Sequence, residues 1–409
     1  MTRETSFPKN KIRVLLLEGI HPAGVERLER EGFDVETLPG ALDPEVLAAR
    51  VDGVHLLGVR SKTSLPDVVF DHARRLLAVG VFGIGTNHVE LGGARRRGIP
   101  VFNAPHANTR SVAELVIGLV VMLLRGLYPK ISAAHAGRWE KTATDSVEVR
   151  GKTLGIIGYG HIGQQVSVLA EALGMCVLFH DVVDKLALGN ARRAASLPHL
   201  LGEADVVTVH VPADPTTHHL LGAREFEAAK PGLQLINTSR GTVVDLEALV
   251  RALDTERVAG AAVDVFPEEP HSRGDDFDTP LRGRSNVLLT PHIGGSTLEA
   301  QRGIGEEVAE KLVRFTNNGS TQGAVNFPEV ALPDVAEHHR ILHVHENVPG
   351  VLHEINELFA DEGVNVGQQV LRTLDDVGYL VADVDESCTL DMVKRLRRLE
   401  HTIRARPLF

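Results

Sequence analysis

The chain is poor in the residues that staple a fold or cross a membrane. Its two cysteines, Cys176 and Cys388, stand far apart among 409 residues without CxxC spacing, which excludes a disulfide framework and a cysteine-rich metal site and fits a reducing compartment. Its longest apolar run, Leu115 to Leu124, falls well short of the roughly 20 residues a membrane span needs. The opening MTRETSFPKNK holds no apolar signal core, so a soluble, cytoplasmic chain is expected. Cations are in the minority: 43 Lys and Arg against 54 Asp and Glu leave a net charge of −11. That field opposes nucleic acid and anionic membranes, so an anionic substrate must find its own cationic pocket. The adjacent pairs His218-His219 and His338-His339 lack the i, i+4 spacing of a helical metal site, read as surface residues, and leave no metal expected.

Hydrophobic residues make up 43% of the chain, enough for two or three cores at about 150 residues per domain. Short apolar strands at 12–19, at the end of 51–61 and at 76–83 alternate with helical patterns such as 22–31, the mark of a buried parallel sheet. Residues 111–125 read as a strongly apolar helix. A second run follows, with strands at 153–158, 175–181, 204–212, 233–239, 258–266 and 286–291, and predicts a doubly wound α/β domain. Residues 298–315 read as a helix returning to the first lobe, and 317–339, with Gly, Pro and Asn, as a linker. From Arg340 the order strand, helix, strand, strand, helix, strand predicts a ferredoxin-like module.

Gly158-Tyr159-Gly160-His161-Ile162-Gly163 closes one strand and opens a helix, and Asp181 ends the next strand. The first glycine permits a tight turn, the second lets backbone approach a pyrophosphate, and the third packs helix on strand. A carboxylate in the place of Asp181 accepts from ribose hydroxyls and repels a 2′-phosphate, which points to NAD rather than NADP. Three further residues each follow a strand of the same sheet: Arg240, Glu269 and His292. Hydride transfer to or from a hydroxyl carbon needs an imidazole to move the hydroxyl proton. It also needs a carboxylate to steady that ring and a guanidinium to grip a substrate carboxylate in two parallel bonds. Each alone has a plain reading as a surface charge; together, behind a dinucleotide fold, they read as a site.

GIIGYGHIG, INTSRGTVVD, GAAVDVFPEEP and LLTPHIGGS resemble the successive signatures of the D-isomer-specific 2-hydroxyacid dehydrogenases over essentially the whole chain. The resemblance implies a flavodoxin-like, discontinuous substrate domain (1–107 with 297–330) around a Rossmann NAD domain (108–296), followed by an ACT regulatory domain (338–409). It makes Arg240 the substrate-binding arginine and Glu269 with His292 the acid–base pair. It also places His161, Ile162, His210, Pro212, Thr238 and Asp264 around the cofactor. VFNAPHANTRSVAEL and GVRSKT further imply a phosphorylated substrate, D-3-phosphoglycerate, oxidised in the opening step of L-serine synthesis, with Arg60, Ser61, Lys62, Asn108 and Lys141 as its contacts. Lys62 departs from the arginine of the relatives and gives up bidentate geometry. The plainer reading of Arg60 and Lys62 is a solvated loop pair.

HVHENVPGVL and VNVGQQ resemble the ACT fold, and imply that L-serine binds at His345, Asn347 and Asn365. The alternative has Asn347 capping a helix and Asn365 in a turn. The relatives' Gly-Gly hinge is replaced by Ala336-Glu337-His338-His339, which predicts weaker or altered feedback. Trp139 is either core or, by the resemblance, part of a subunit contact in a homotetramer. Two other readings stay open: a glyoxylate or hydroxypyruvate reductase of the same family, and a non-catalytic NADH-sensing regulator on the same fold.

Overall fold

Apolar residues in runs of four build the sheet of the N-terminal lobe. Its strands are β1 (Arg13–Leu16), β2 (Asp34–Thr37), β3 (Leu56–Val59), β4 (Ala78–Val81) and β5 (Val101–Phe102). They are all parallel, in the order β2-β1-β3-β4-β5, the flavodoxin-like winding. β3 and β4 are buried at every residue, as central strands covered on both faces must be. One face is covered by the helix Leu298–Asn318, through Ile304, Val308, Leu312 and Phe315. The computed structural model describes residues 7–270, 274–334, 339–385 and 390–408. They fall into two units: Met1–Ala107 with Gln301–Phe409, and Asn108–Ala300.

The second unit carries β6 (Thr153–Ile157), β7 (Cys176–His180), β8 (Arg192–Arg193), β9 (Val206–Val209), β10 (Leu233–Asn237), β11 (Val258–Val263) and β12 (Val287–Leu289). Their order, β12-β11-β10-β9-β6-β7-β8, is that of a Rossmann sheet, with the winding reversing between β6 and β9. The apolar helix Thr109–Leu124 buries Val112, Val116, Val120 and Leu123 in the cluster formed by Leu154, Ile156 and Ile236. Among the described residues no single helix is long and apolar enough to cross a membrane; Thr109–Leu124 and Leu127–His135 would have to act as a pair bent by 74°. Trp139 follows in irregular chain and is 88% exposed, so the core reading of the lone tryptophan is wrong.

The tail, in the first unit, is an antiparallel sheet of β13 (His339–Glu346), β14 (Val366–Leu374), β15 (Val377–Val384) and β16 (Thr402–Leu408) in the order β14-β15-β13-β16. Val351–Asp361 and Leu390–Leu396 pack on one face, completing the ferredoxin-like βαββαβ fold. The expected linker is not free chain. Asn318, Ser320, Thr321, Asn326, Phe327 and Val330 are buried. Asn326 accepts from Val101 N–H at 2.8 Å and donates to the Leu91 and Ile99 carbonyls, stitching the segment to β5. Polar composition looked like a loop because these side chains find distant backbone partners that no local pattern reveals. Cys388, His338 and the glycine-free stretch 336–338 lie outside the described residues.

Arg340, 2% exposed, locks the segment to the tail. Its Nε and Nη2 donate to the two carboxylate oxygens of Asp383 at 2.6 and 2.8 Å, and Nη1 donates to the Asn318 and Pro333 carbonyls. Removing one member of such a pair strands the other charge in the interior. Arg340→Ala is therefore expected to cost about 3–5 kcal/mol, read as a lowered urea midpoint, while the apolar double replacement Arg340→Met with Asp383→Leu recovers most of it.

Candidate active site

The glycine turn is built for close approach. Gly158 has φ +90°, and a Cβ there would collide with the His210 carbonyl; at Gly163 it would collide with the Gly158 carbonyl. At Gly160, by contrast, a Cβ would meet nothing within 4 Å, so the second glycine faces open space at the start of the helix His161–Ala172. Tyr159 anchors the turn from behind, its ring stacked on Phe179 at 3.9 Å and its hydroxyl bonded to Ser167 at 3.0 Å. Asp181 stands beside the turn, accepting from Tyr159 N–H at 2.8 Å and Val183 N–H at 2.9 Å, with lone pairs to spare. His210 Nδ1 and Thr238 Oγ1 are buried polar atoms without a protein partner at the ends of β9 and β10. Burial holds the His210 imidazole neutral, its pKa pushed down to about 3. Pro212 is exposed. An open cradle, a carboxylate beside the glycine turn and two orphaned polar groups fit a dinucleotide.

Two of the three catalytic candidates meet directly. His292 Nδ1 lies 2.7 Å from Glu269 Oε2, and Glu269 Oε1 accepts from Phe266 N–H at 3.1 Å. Arg240 is near enough that its charge acts on both. Gly241 explains the approach: any Cβ there would collide with the Phe266 carbonyl and Pro267 nitrogen, so the loop after β10 rests directly on the loop that carries Glu269. The Glu269 hydrogen bond raises the His292 pKa, against burial and the Arg240 charge. Burial alone would lift the Glu269 carboxyl, but the bonds from His292 and Phe266 N–H and the neighbouring cations bring it below its ordinary value.

Asp264 was expected at the cofactor. Its side chain is 1% exposed and accepts from Thr290 Oγ1 at 2.6 Å, Ile293 N–H at 2.8 Å and Gly294 N–H at 2.9 Å. It holds the loop on which His292 takes a left-handed backbone, φ +53°. Asn108 is buried below the same loop, against Gly295, with its Oδ1 lacking a protein partner. Lys141 is exposed.

Arg60, Ser61 and Lys62 follow β3 in the other unit. The Arg60 guanidinium donates to Gln301 Oε1 at 2.7 Å, and Lys62 and Ser61 are exposed. Their backbone is held by Glu18, a residue that sequence reading passed over because nothing local links positions more than forty apart. In the tail, His345 is buried, its Nδ1 3.3 Å from His343 Nδ1 and its ring against Gly378. Asn347 does not cap the helix that follows; its side chain donates to the Asp375 carbonyl at 3.1 Å, and Gly350 sits at the helix start. Asn365 is exposed. His218 and His219 stack at 4.0 Å, and among the described residues no group of three potential ligands is placed to hold a metal.

Two measurements probe this geometry. Glu269→Gln is expected to lower the pH at which His292 loses its proton, followed by the imidazole resonances in an NMR titration, because the bond that favours imidazolium is lost. Gly241→Ala is expected to destabilise the second unit by about 1–3 kcal/mol, since backbone rather than a flexible side chain must move. A thermal melt of the purified protein reads that loss.

Residues 117–294 match the model of the D-isomer specific 2-hydroxyacid dehydrogenase NAD binding domain, and residues 341–404 match an AHAS small subunit-like ACT domain. The D-3-phosphoglycerate dehydrogenase of Escherichia coli (strain K12) is 51% identical over 99% of this chain and 100% of its own length. That of Haemophilus influenzae is 48% identical over 100% of both. The crystal structure of D-lactate dehydrogenase from Aquifex aeolicus, complexed with NAD and lactic acid, superposes with a TM-score of 0.65 at 28% identity, covering 75% of this chain and 96% of that one. With an open glycine cradle, a paired His292 and Glu269 and this full-length likeness, the chain belongs to the NAD-dependent D-isomer-specific 2-hydroxyacid dehydrogenases and carries an ACT domain at its C-terminal end.

Proposed function

We propose that the chain oxidises D-3-phosphoglycerate to 3-phosphohydroxypyruvate with NAD, the step that opens L-serine synthesis. The observation that carries the reaction is the His292–Glu269 pair at 2.7 Å beside Arg240. The substrate follows from full-length likeness to enzymes named for it. Glu269 is a pure acceptor when ionised, so the His292 ring donates from Nδ1 and leaves Nε2 to take the substrate hydroxyl proton. As that proton arrives, Glu269 stabilises the imidazolium. Arg240 grips the substrate carboxylate and sets the orientation of the hydroxyl carbon. Gly158, Gly160 and Gly163 with Asp181 would hold NAD, which would supply the acceptor for the hydride on that carbon. Arg60, Ser61 and Lys62 take the phosphate, answering the demand that a net charge of −11 places on any anionic substrate.

The tail supports a small-molecule effector, and we assign L-serine, with Asn347 and Asn365 offering amide groups to its charged ends. His345, buried beside His343, acts from within the sheet rather than as an exposed contact. The working form is a cytoplasmic homotetramer in which the exposed Trp139 lies at a subunit contact.

The test is NADH consumption by purified protein with 3-phosphohydroxypyruvate, hydroxypyruvate and glyoxylate. The phosphorylated keto acid is expected to give the highest kcat/KM, and His292→Ala to lower it by about 10²- to 10⁴-fold. Activity in this direction needs imidazolium, so it falls as pH rises through the raised His292 pKa, and Glu269→Gln moves that fall to lower pH. Preference for an unphosphorylated keto acid would reassign the chain within its family, and NADH binding without turnover would favour a sensor. L-serine titrated into the same assay is expected to give partial inhibition; steep and complete inhibition would refute the weaker feedback drawn from the missing glycine pair.

A further inference from the structure

β1 ends under constraint. Glu18 takes a left-handed backbone at φ +64°, which side chains rarely adopt, and Gly19 follows at +59°. Backbone bonds fix the bend: Leu17 N–H donates to Gly58 O at 2.9 Å, Glu18 N–H to Gly40 O at 3.1 Å and Gly19 N–H to Leu38 O at 3.2 Å. The bend sends the half-buried Glu18 carboxylate to the loop after β3. There Oε1 accepts from Arg60 N–H at 3.0 Å and Thr63 N–H at 2.9 Å, and Oε2 accepts from Lys62 N–H at 3.0 Å. Burial would raise the Glu18 carboxyl, but the groups of Thr63, Lys62 and Arg60 that face it outweigh burial and keep it below its ordinary pKa. The Arg60 side chain has its own tether, Nη2 to Gln301 Oε1 at 2.7 Å, at the start of the helix Leu298–Asn318.

The direction of these bonds matters. Loops that bind anions commonly present successive backbone N–H groups to the ligand. In this loop the N–H groups of Arg60, Lys62 and Thr63 point backward and are already satisfied. An anion here must be gripped by side chains, and long side chains grip in a defined orientation only when their backbone is stiff. A strained residue held by three surrounding backbone bonds is the kind of feature that persists where it is used.

We propose that Glu18 and Gln301 are positioning residues for the phosphate end of the substrate: Glu18 fixes the backbone of residues 60–63, and Gln301 fixes the guanidinium of Arg60. The inference rests on the phosphorylated substrate proposed above. It assigns selectivity for that phosphate to a carboxylate that never touches it.

The experiment compares steady-state kinetics of the full-length wild type, Glu18→Gln, Gln301→Leu, Arg60→Ala and the double variant Glu18→Gln with Arg60→Ala, on 3-phosphohydroxypyruvate and on hydroxypyruvate. A glutamine at 18 turns an amide NH2 toward N–H donors and breaks part of the clamp. Its KM for the phosphorylated substrate is expected to rise roughly ten- to hundredfold, with kcat and the hydroxypyruvate parameters within about twofold of wild type. Gln301→Leu, which leaves the loop backbone alone, is expected to do the same more weakly, and it decides the matter if the Glu18 variant does not fold. In the Arg60→Ala background, Glu18→Gln is expected to add little, because it acts through Arg60. Equal losses on both substrates, additive effects in the double variant, or an unchanged KM would overturn the proposal. Amide exchange over residues 59–64 supplies a readout independent of substrate and is expected to accelerate in Glu18→Gln. A wild type that does not favour the phosphorylated keto acid overturns the functional reading, whereas unchanged exchange in Glu18→Gln overturns the clamp itself.

Discussion

Asp264 lies at the end of β11, withdrawn from solvent, and three donors from the loop at 290–294 converge on its carboxylate. Its own carbonyl accepts from His292 N–H at 2.8 Å, so four bonds tie that loop to one residue. Without them the buried Gly294 amide would be a donor with nothing to bind, and the left-handed backbone of His292 would lose its ties to β11. Gly294 completes the arrangement, since a Cβ there would come within 3.1 Å of the Asp264 oxygen. The imidazole can meet Glu269 because its backbone has been placed first. Arg240 reaches the same spot through the Gly241 contact, so two backbone constraints assemble three side chains from three strands.

Much of this could be read from sequence, and the reason is physical. A parallel sheet collects the carboxyl ends of its strands on one edge, so residues after 237, 263 and 289 converge whatever lies between them. The glycine turn was legible because its demands are local. β2, β5 and β8 were not recognised: β2 is a partly exposed edge strand, and the other two have two residues each. The buried segment at 318–330 reads as loop because Asn, Thr and Ser are satisfied by backbone far away in the chain. Asp264 stands in a motif, yet its carboxylate binds the loop of its own protein, whereas Glu18 stands in no motif and its partners lie more than forty residues away.

Arginines tie the tail to the lobe beside the apolar cluster that Phe327 and Val330 form with Leu342, Val344 and Tyr379. Arg404 donates to the Leu76 carbonyl, just ahead of β4, and packs against Gly98. Arg406 donates to the Phe315 carbonyl at 3.0 Å with its guanidinium 5.1 Å from that ring. Burial lowers both to about 10. At the far end Arg95 bridges Asp375 and Asp376 at 2.9 and 2.8 Å, in the turn between β14 and β15. Buried cations tolerate few alternative partners, so this docking is specific in register even where its net contribution to stability is small.

Trp139, standing alone in the sequence and bare on the surface, gives the molecule a built-in optical reporter. The three tyrosines contribute little when excitation is confined to the indole band, so the emission of the whole chain is that of one ring, which lies in water when the chain stands alone. Anything that settles over that ring, whether a second copy of the chain or a rearranged loop, shifts the spectrum to shorter wavelength and shields it from aqueous quenchers. Assembly can thus be followed on the unlabelled protein at the concentrations at which the enzyme is assayed.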